Sequence, residues 1–130
     1  MRFIKFWFPV LCYSGIIFFV SSLPNLQAPL PETFSDKFWH VLEYAILGFL
    51  LVRALDHAGI KFSQSQIFTI AVVLTFSYGL SDEWHQMFVE GRTASIWDAL
   101  ADGLGGIIGS WAYYSRKPKI GIKNDANQRV

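Results

Sequence analysis

Asp36-Lys37-Phe38-Trp39-His40-Val41-Leu42-Glu43-Tyr44-Ala45-Ile46-Leu47-Gly48-Phe49-Leu50-Leu51 starts charged and ends as an unbroken apolar run. Extended to about Leu55, it approaches the roughly 20 residues, each rising 1.5 Å, that carry a helix across a bilayer. Its polar members keep a helical rhythm. Asp36, His40 and Glu43/Tyr44 are spaced by three or four residues, so a helix sets them on one face. From Asp36 to Tyr44 that stripe descends roughly 12 Å from the helix start. An ionisable side chain at mid-membrane costs about 2.5–3.5 kcal/mol on insertion scales. The stripe must therefore face other protein, and the segment predicts partner helices.

The rest of the chain supplies three. Phe6 to about Ser22 is apolar, and no charged residue follows before Glu32. Arg2 and Lys5 resemble the basic start of a cleaved signal peptide, but Val20-Ser21-Ser22-Leu23-Pro24 is a poor cleavage site, so a retained anchor is expected. Pro9 falls near its start, where it costs little hydrogen bonding. Another span is expected over about 65–82, opened by the capping box Ser63-x-x-Gln66, and a last one over about 95–114. With the first two at about 5–22 and 37–55, the fold class is an all-α, membrane-embedded bundle of four transmembrane helices. Residues 1–116 form one domain. Leu23 to Ser35 holds Pro24, Pro29 and Pro31 and reads as an extended connection, and 117–130 as a polar, disordered cytoplasmic tail.

Composition agrees. Of 130 residues, 52% are apolar and 17% aromatic, more than a soluble core of this size can enclose. A net charge of +1 provides no field for nucleic acid, which is not an expected partner. Cys12 stands alone, which excludes a disulfide framework and a thiolate metal site.

Charge bias orients the bundle. With both termini in the cytoplasm, Arg2, Lys5, Arg53, Lys61, Arg116, Lys117, Lys119, Lys123 and Arg129 lie inside, and only Lys37 and Arg92 outside. Nine against two is the positive-inside pattern of a multi-pass protein of the cell (inner or plasma) membrane. Trp7, Trp39, Trp84, Trp97, Trp111, Tyr113 and Tyr114 fall near span ends, as an interfacial belt requires.

The acidic residues show the opposite bias. Asp36 and Glu43 lie on the second helix, Asp82 and Glu83 at the end of the third, and Asp98 and Asp102 on the fourth with Ser95. His85, Gln86 and Arg92 join them at the same leaflet. Thr33-x-x-Asp36 and Ser95-x-x-Asp98 also match capping boxes, whereas Asp102 lies too deep for one. Ala101, Gly105 and Gly109 make a small-x-x-x-small row that lets a helix approach closely, within the bundle or from a second chain. No strand precedes these glycines, so they are not a dinucleotide loop.

Two stretches carry a family likeness. Asp36-Lys37-x-x-His40-x-x-Glu43-Tyr44-x-x-Leu47-Gly48 resembles the second-helix signature of VanZ-like membrane proteins. Ser81-Asp82-Glu83-Trp84-His85-Gln86-x-Phe88-x-x-Gly91-Arg92-x-Ala94-Ser95-x-x-Asp98 resembles their second signature, with Glu90 where proline is common. Asp102 stands where relatives carry Asn or Asp. The resemblance implies a cell-envelope protein, and the family's namesake is linked to resistance to the glycopeptide antibiotic teicoplanin.

The expected function is an outward polar pocket of Asp36, Lys37, His40, Tyr44, Asp82, Glu83, Gln86, Arg92, Ser95, Asp98 and Asp102. It would bind an anionic membrane lipid, a lipid-linked envelope precursor or a glycopeptide-type ligand, with Arg92 as a bidentate anion anchor. The alternative is an enzyme using Glu83, Asp82, His40 or His85 in acid–base work on a lipid head group. No hydrolase signature or obvious nucleophile is present. A small transporter or a structural partner ranks third. His40, Glu43, Asp82, His85 and Asp102 are metal-ligand types, but no tight motif such as His-Glu-x-x-His holds them, so no metal or other cofactor is expected.

Overall fold

The computed structural model describes residues 1–24 and 35–117, side chains of Arg2 and Ser35 excepted. It contains four helices: α1 (Arg2–Ser21), α2 (Ser35–Asp56), α3 (Gln64–Gln86) and α4 (Ile96–Arg116). Each has 20 to 23 residues, or roughly 30 Å of rise. α1 passes through Pro9 as one continuous helix. α3 opens with the expected capping box: Ser63 Oγ accepts from Gln66 N–H at 3.2 Å, and Gln66 Oε1 accepts from Ser63 N–H at 2.9 Å. It then runs four residues past the expected end, so Asp82, Glu83 and Gln86 all project from helix. The expected connection from Leu23 to Ser35 and the tail after Lys117 fall largely outside the described residues.

Contacts at the two ends define the topology. At one end the Phe6 ring stacks on His57 at 4.1 Å, and Tyr113 donates to Asp56 at 2.8 Å. At the other, Ser22 meets His85, and Lys37 meets Asp98. Successive helices are therefore antiparallel, and the outer ends of α1 and α4 share the first of these two faces. α1 packs on α2, touches α3 lightly and does not reach α4.

α2 and α4 share the most extensive interface. Glycine sets their spacing. A Cβ on Gly105 would strike the Val41 carbonyl, one on Gly109 the Ala45 carbonyl, and one on Gly48 would lie 2.7 Å from the Gly106 carbonyl. Gly105 and Gly109 of the small-residue row have α2 of their own chain as close partner, the within-bundle packing that the row allows.

Ile17, Leu47, Val52 and Ile67 belong to an apolar core, but burial elsewhere departs from that of a water-soluble bundle. Asp82, Glu83, Asp98 and Asp102 are buried, while Phe8, Leu11, Phe18, Phe19, Val73 and Leu104 point outward. α1 over Phe3–Ser21 and α2 over Asp36–Asp56 are long and apolar enough to cross a membrane. α4 has the necessary length, but its glycines and its two aspartates dilute its apolar content.

Candidate functional site

The polar groups gather where α2 and α4 begin and α3 ends. Asp102 is fully buried and faces α3 at Gly79, where a Cβ would lie only 2.5 Å from Asp102 Oδ2. Glycine there makes room for the carboxylate. Asp102 Oδ1 lies 2.8 Å from His40 Nδ1, across the α2–α4 seam. Glu83 supplies the third corner: His40, Glu83 and Asp102 each bring one ligand-type atom within 4.8 Å of the others, and all three residues are buried.

Glu83 has a second task. Its Oε2 accepts the Ser95 N–H at 2.7 Å, so α3's carboxylate sits at the positive end of α4. Ser95 makes no side-chain cap, and the expected Ser95–Asp98 capping box is not formed. Asp98 is free to accept Lys37 Nζ at 3.0 Å, at the half-exposed rim. Asp36, His40 and Asp98 form a second cluster of ligand-type atoms within 4.8 Å. Thr33, the other half of the Asp36 box, lies outside the described residues.

Next to the triangle a cavity of about 460 Å³ opens between α1, α2 and α3. Its polar wall comprises Asp36, His40, Glu43, Asp82, Gln86 and Arg92; Ile17, Val20, Leu42 and Ile46 give it an apolar side. His40 belongs to both cavity and triangle. Gln86 donates to Asp82 Oδ2 at 3.1 Å. Arg92 turns toward α1, with Nε donating to the Leu23 carbonyl at 3.3 Å and Nη2 to the Val20 carbonyl at 3.2 Å. The Val20 carbonyl also accepts the Leu23 N–H at 3.1 Å, so the guanidinium adds a second donor there and reaches the Leu23 carbonyl just beyond α1. Arg92 is thus a latch on α1 as well as a cavity cation.

Several polar atoms here are unmatched. Among the described residues, Asp82 Oδ1, Glu83 Oε1, Asp102 Oδ2 and the Tyr44 hydroxyl are buried with no hydrogen-bond partner.

A family model described as VanZ/LLP1 matches residues 6–117, which takes in α1 from its second turn and the whole of α2, α3 and α4, with His40, Glu83 and Asp102. The chain belongs to the VanZ/LLP1 family. No curated protein and no solved structure matches it. VanZ/LLP1 proteins are membrane-associated, in keeping with the apolar exteriors of α1 and α2.

In this VanZ/LLP1 chain the expected site residues divide into groups. His40, Glu83 and Asp102 form the triangle, with Tyr44 buried one turn below His40. Asp36, Asp82, Gln86 and Arg92 line the cavity, and Lys37 and Asp98 pair at the rim. His85 is not brought in: its ring stacks on Phe18 at 4.5 Å, and Nε2 lies 2.9 Å from Ser22 Oγ. It is two residues from Glu83, or about 200° around the helix, which turns it toward α1. Glu90, where the resemblance leads to an expectation of proline, is accommodated in a turn. Arg92 N–H donates to the Val89 carbonyl at 3.2 Å with φ of 78° at Gly91, a turn in which that position favours but does not require proline.

Sequence reasoning left out the wall that α1 provides. Tyr13, Ile17, Val20 and Ser21 line the cavity, and the Tyr13 hydroxyl donates to the Glu43 carbonyl at 3.2 Å. Tyr13 and Ser21, like Ser14, are polar residues in the apolar stretch that follows Lys5, and that was the available signal.

Proposed function

We propose that this VanZ/LLP1 protein crosses the cell membrane four times with both termini in the cytoplasm, and that its outward chamber binds a lipid-linked envelope precursor by its phosphate–sugar head group. The nine-to-two distribution of Lys and Arg supports that orientation. The mixed wall of the chamber carries the reading of the ligand. Arg92 has donors to spare for a phosphate, because Val20 and Leu23 use only two of its five N–H groups. Asp36, Glu43 and Asp82 are acceptors suited to sugar hydroxyls, and Ile17, Val20, Leu42 and Ile46 suit the start of an acyl or prenyl chain. A simple anionic lipid fits less well, since three carboxylates would face its head group. Occupancy of such a precursor would alter how glycopeptides meet it, which links the chamber to glycopeptide susceptibility.

The His40–Asp102 contact favours a second reading. A carboxylate on Nδ1 orients the ring and leaves Nε2 as a general base, so the bound head group would be a substrate.

The test is to extract the protein with its surrounding lipid into polymer nanodiscs and analyse the retained lipids by mass spectrometry. Lipid-linked phosphate–sugar species should exceed their bulk abundance about tenfold or more, as one good Arg–phosphate interaction would allow. Arg92→Ala should return them to the bulk level while the protein still accumulates in the membrane. Retained lipids matching the bulk membrane would reject the binding reading. Conversion of the precursor, absent in His40→Ala, would favour the enzyme.

A further inference from the structure

We propose that His40, Glu83 and Asp102 hold a divalent transition-metal ion of the zinc or manganese class, one helix contributing each ligand. The three bring one nitrogen and two oxygens within 4.8 Å of each other, at the common end of α2, α3 and α4. Metal–ligand bonds of about 2.0–2.2 Å need donor atoms about 3–4 Å apart, so closure asks for side-chain rotation and no helix movement.

Unmet hydrogen bonding is the independent sign. Glu83 is 6% exposed and Asp102 is 0% exposed, yet Glu83 Oε1 and Asp102 Oδ2 have no partner among the described residues. A buried carboxylate oxygen is seldom left without a donor or a cation. The fixed cations described nearby have partners outside the triangle. Lys37 is paired with Asp98, and Arg92 gives two of its donors to the Val20 and Leu23 carbonyls. Against these two stand, among the described residues, seven carboxylates at this end: Asp36, Glu43, Asp82, Glu83, Glu90, Asp98 and Asp102. A dication within the triangle would offset part of that surplus and give the buried carboxylates of Glu83 and Asp102 a cation.

The donor set narrows the ion. One imidazole with carboxylates suits zinc or manganese, and no thiolate is present to select a softer metal. His40 also lines the chamber, so open coordination positions would face whatever occupies it. That last step rests on the head-group reading above; the metal site itself does not.

Purified full-length protein in nanodiscs, without a histidine tag, is stripped with EDTA and titrated separately with ZnCl₂, MnCl₂ and MgCl₂, with bound metal measured by elemental analysis. We expect about one zinc or manganese ion per chain, and binding weakened about tenfold or more in Glu83→Gln and His40→Ala. His85→Ala and His57→Ala, outside the triangle, should bind as the parent does. Because the triangle variants could fold poorly, the parent protein provides a second measurement. Its Tm should fall with EDTA and rise by about 4 °C or more when metal returns. No bound metal and no Tm response, binding of magnesium alone, or equal loss in His85→Ala would each overturn the site. Metal bound without retained precursor would reject only the head-group reading, and precursor retained by protein that takes up no metal on titration would reject only the metal site.

Discussion

His40 and Asp102 are 62 residues apart in the chain and meet at 2.8 Å, one on α2 and the other on α4. Both are buried, so removing either leaves the other without its partner in an apolar surround. Their interaction should appear as coupling. In a double-mutant cycle of His40→Ala and Asp102→Ala, followed by unfolding in micelles, we expect a coupling energy of about 1–3 kcal/mol. The same cycle with His57→Ala in place of His40→Ala should give a value near zero. Equal couplings would mean that the contact contributes nothing specific.

Close approach of α2 and α4 depends on backbone meeting backbone. Gly109→Leu would drive a side chain into the Ala45 carbonyl, which cannot move without the helix. A loss of about 2 kcal/mol or more, or failure to accumulate, is expected on the scale of overpacking. Gly15 has nothing within 4 Å of its missing Cβ. Gly15→Ala should be neutral or stabilise by up to about 1 kcal/mol through helix propensity. Thermal unfolding of the two variants side by side checks both.

Arg92 ties the loop before α4 to the end of α1. Arg92→Gln should loosen that end locally. Hydrogen exchange at Ser21, Ser22 and Leu23 should quicken about tenfold, equivalent to about 1.4 kcal/mol of opening, with the middle of α4 unchanged. Uniform quickening across all four helices would instead assign Arg92 to global stability.

Much of this architecture was legible in the sequence, because α1 and α2 announce themselves by apolar runs near bilayer length. The Ser63–Gln66 start of α3 was equally local and formed as read. Partner choice was another matter. Ser95-x-x-Asp98 satisfies a local capping pattern, yet Glu83, twelve residues earlier, takes the Ser95 N–H and Lys37 takes Asp98. Nothing in four consecutive residues reports a competitor on another helix. The ligand-type triangle was hidden for the same reason. His40, Glu83 and Asp102 have no fixed spacing, so no motif could join them. His85 was separable in principle, since its angle around α3 already set it apart from Glu83.

Orientation can be read with single cysteines in a Cys12→Ser background. Thr93→Cys, exposed beside Arg92, should react with a membrane-impermeant maleimide in intact cells. Lys61→Cys, exposed between α2 and α3, should react only after permeabilisation. The reverse pattern would turn the bundle over and put the chamber in the cytoplasm.

Gly48, Gly105 and Gly109 carry a consequence for how such a site persists. The gauge between α2 and α4 is cut by main-chain atoms, so it does not vary with the shape of neighbouring side chains. His40 and Asp102 inherit that gauge. The exposed apolar surface of Phe, Leu and Ile residues can therefore drift through many substitutions while the charged seam beneath it holds its register.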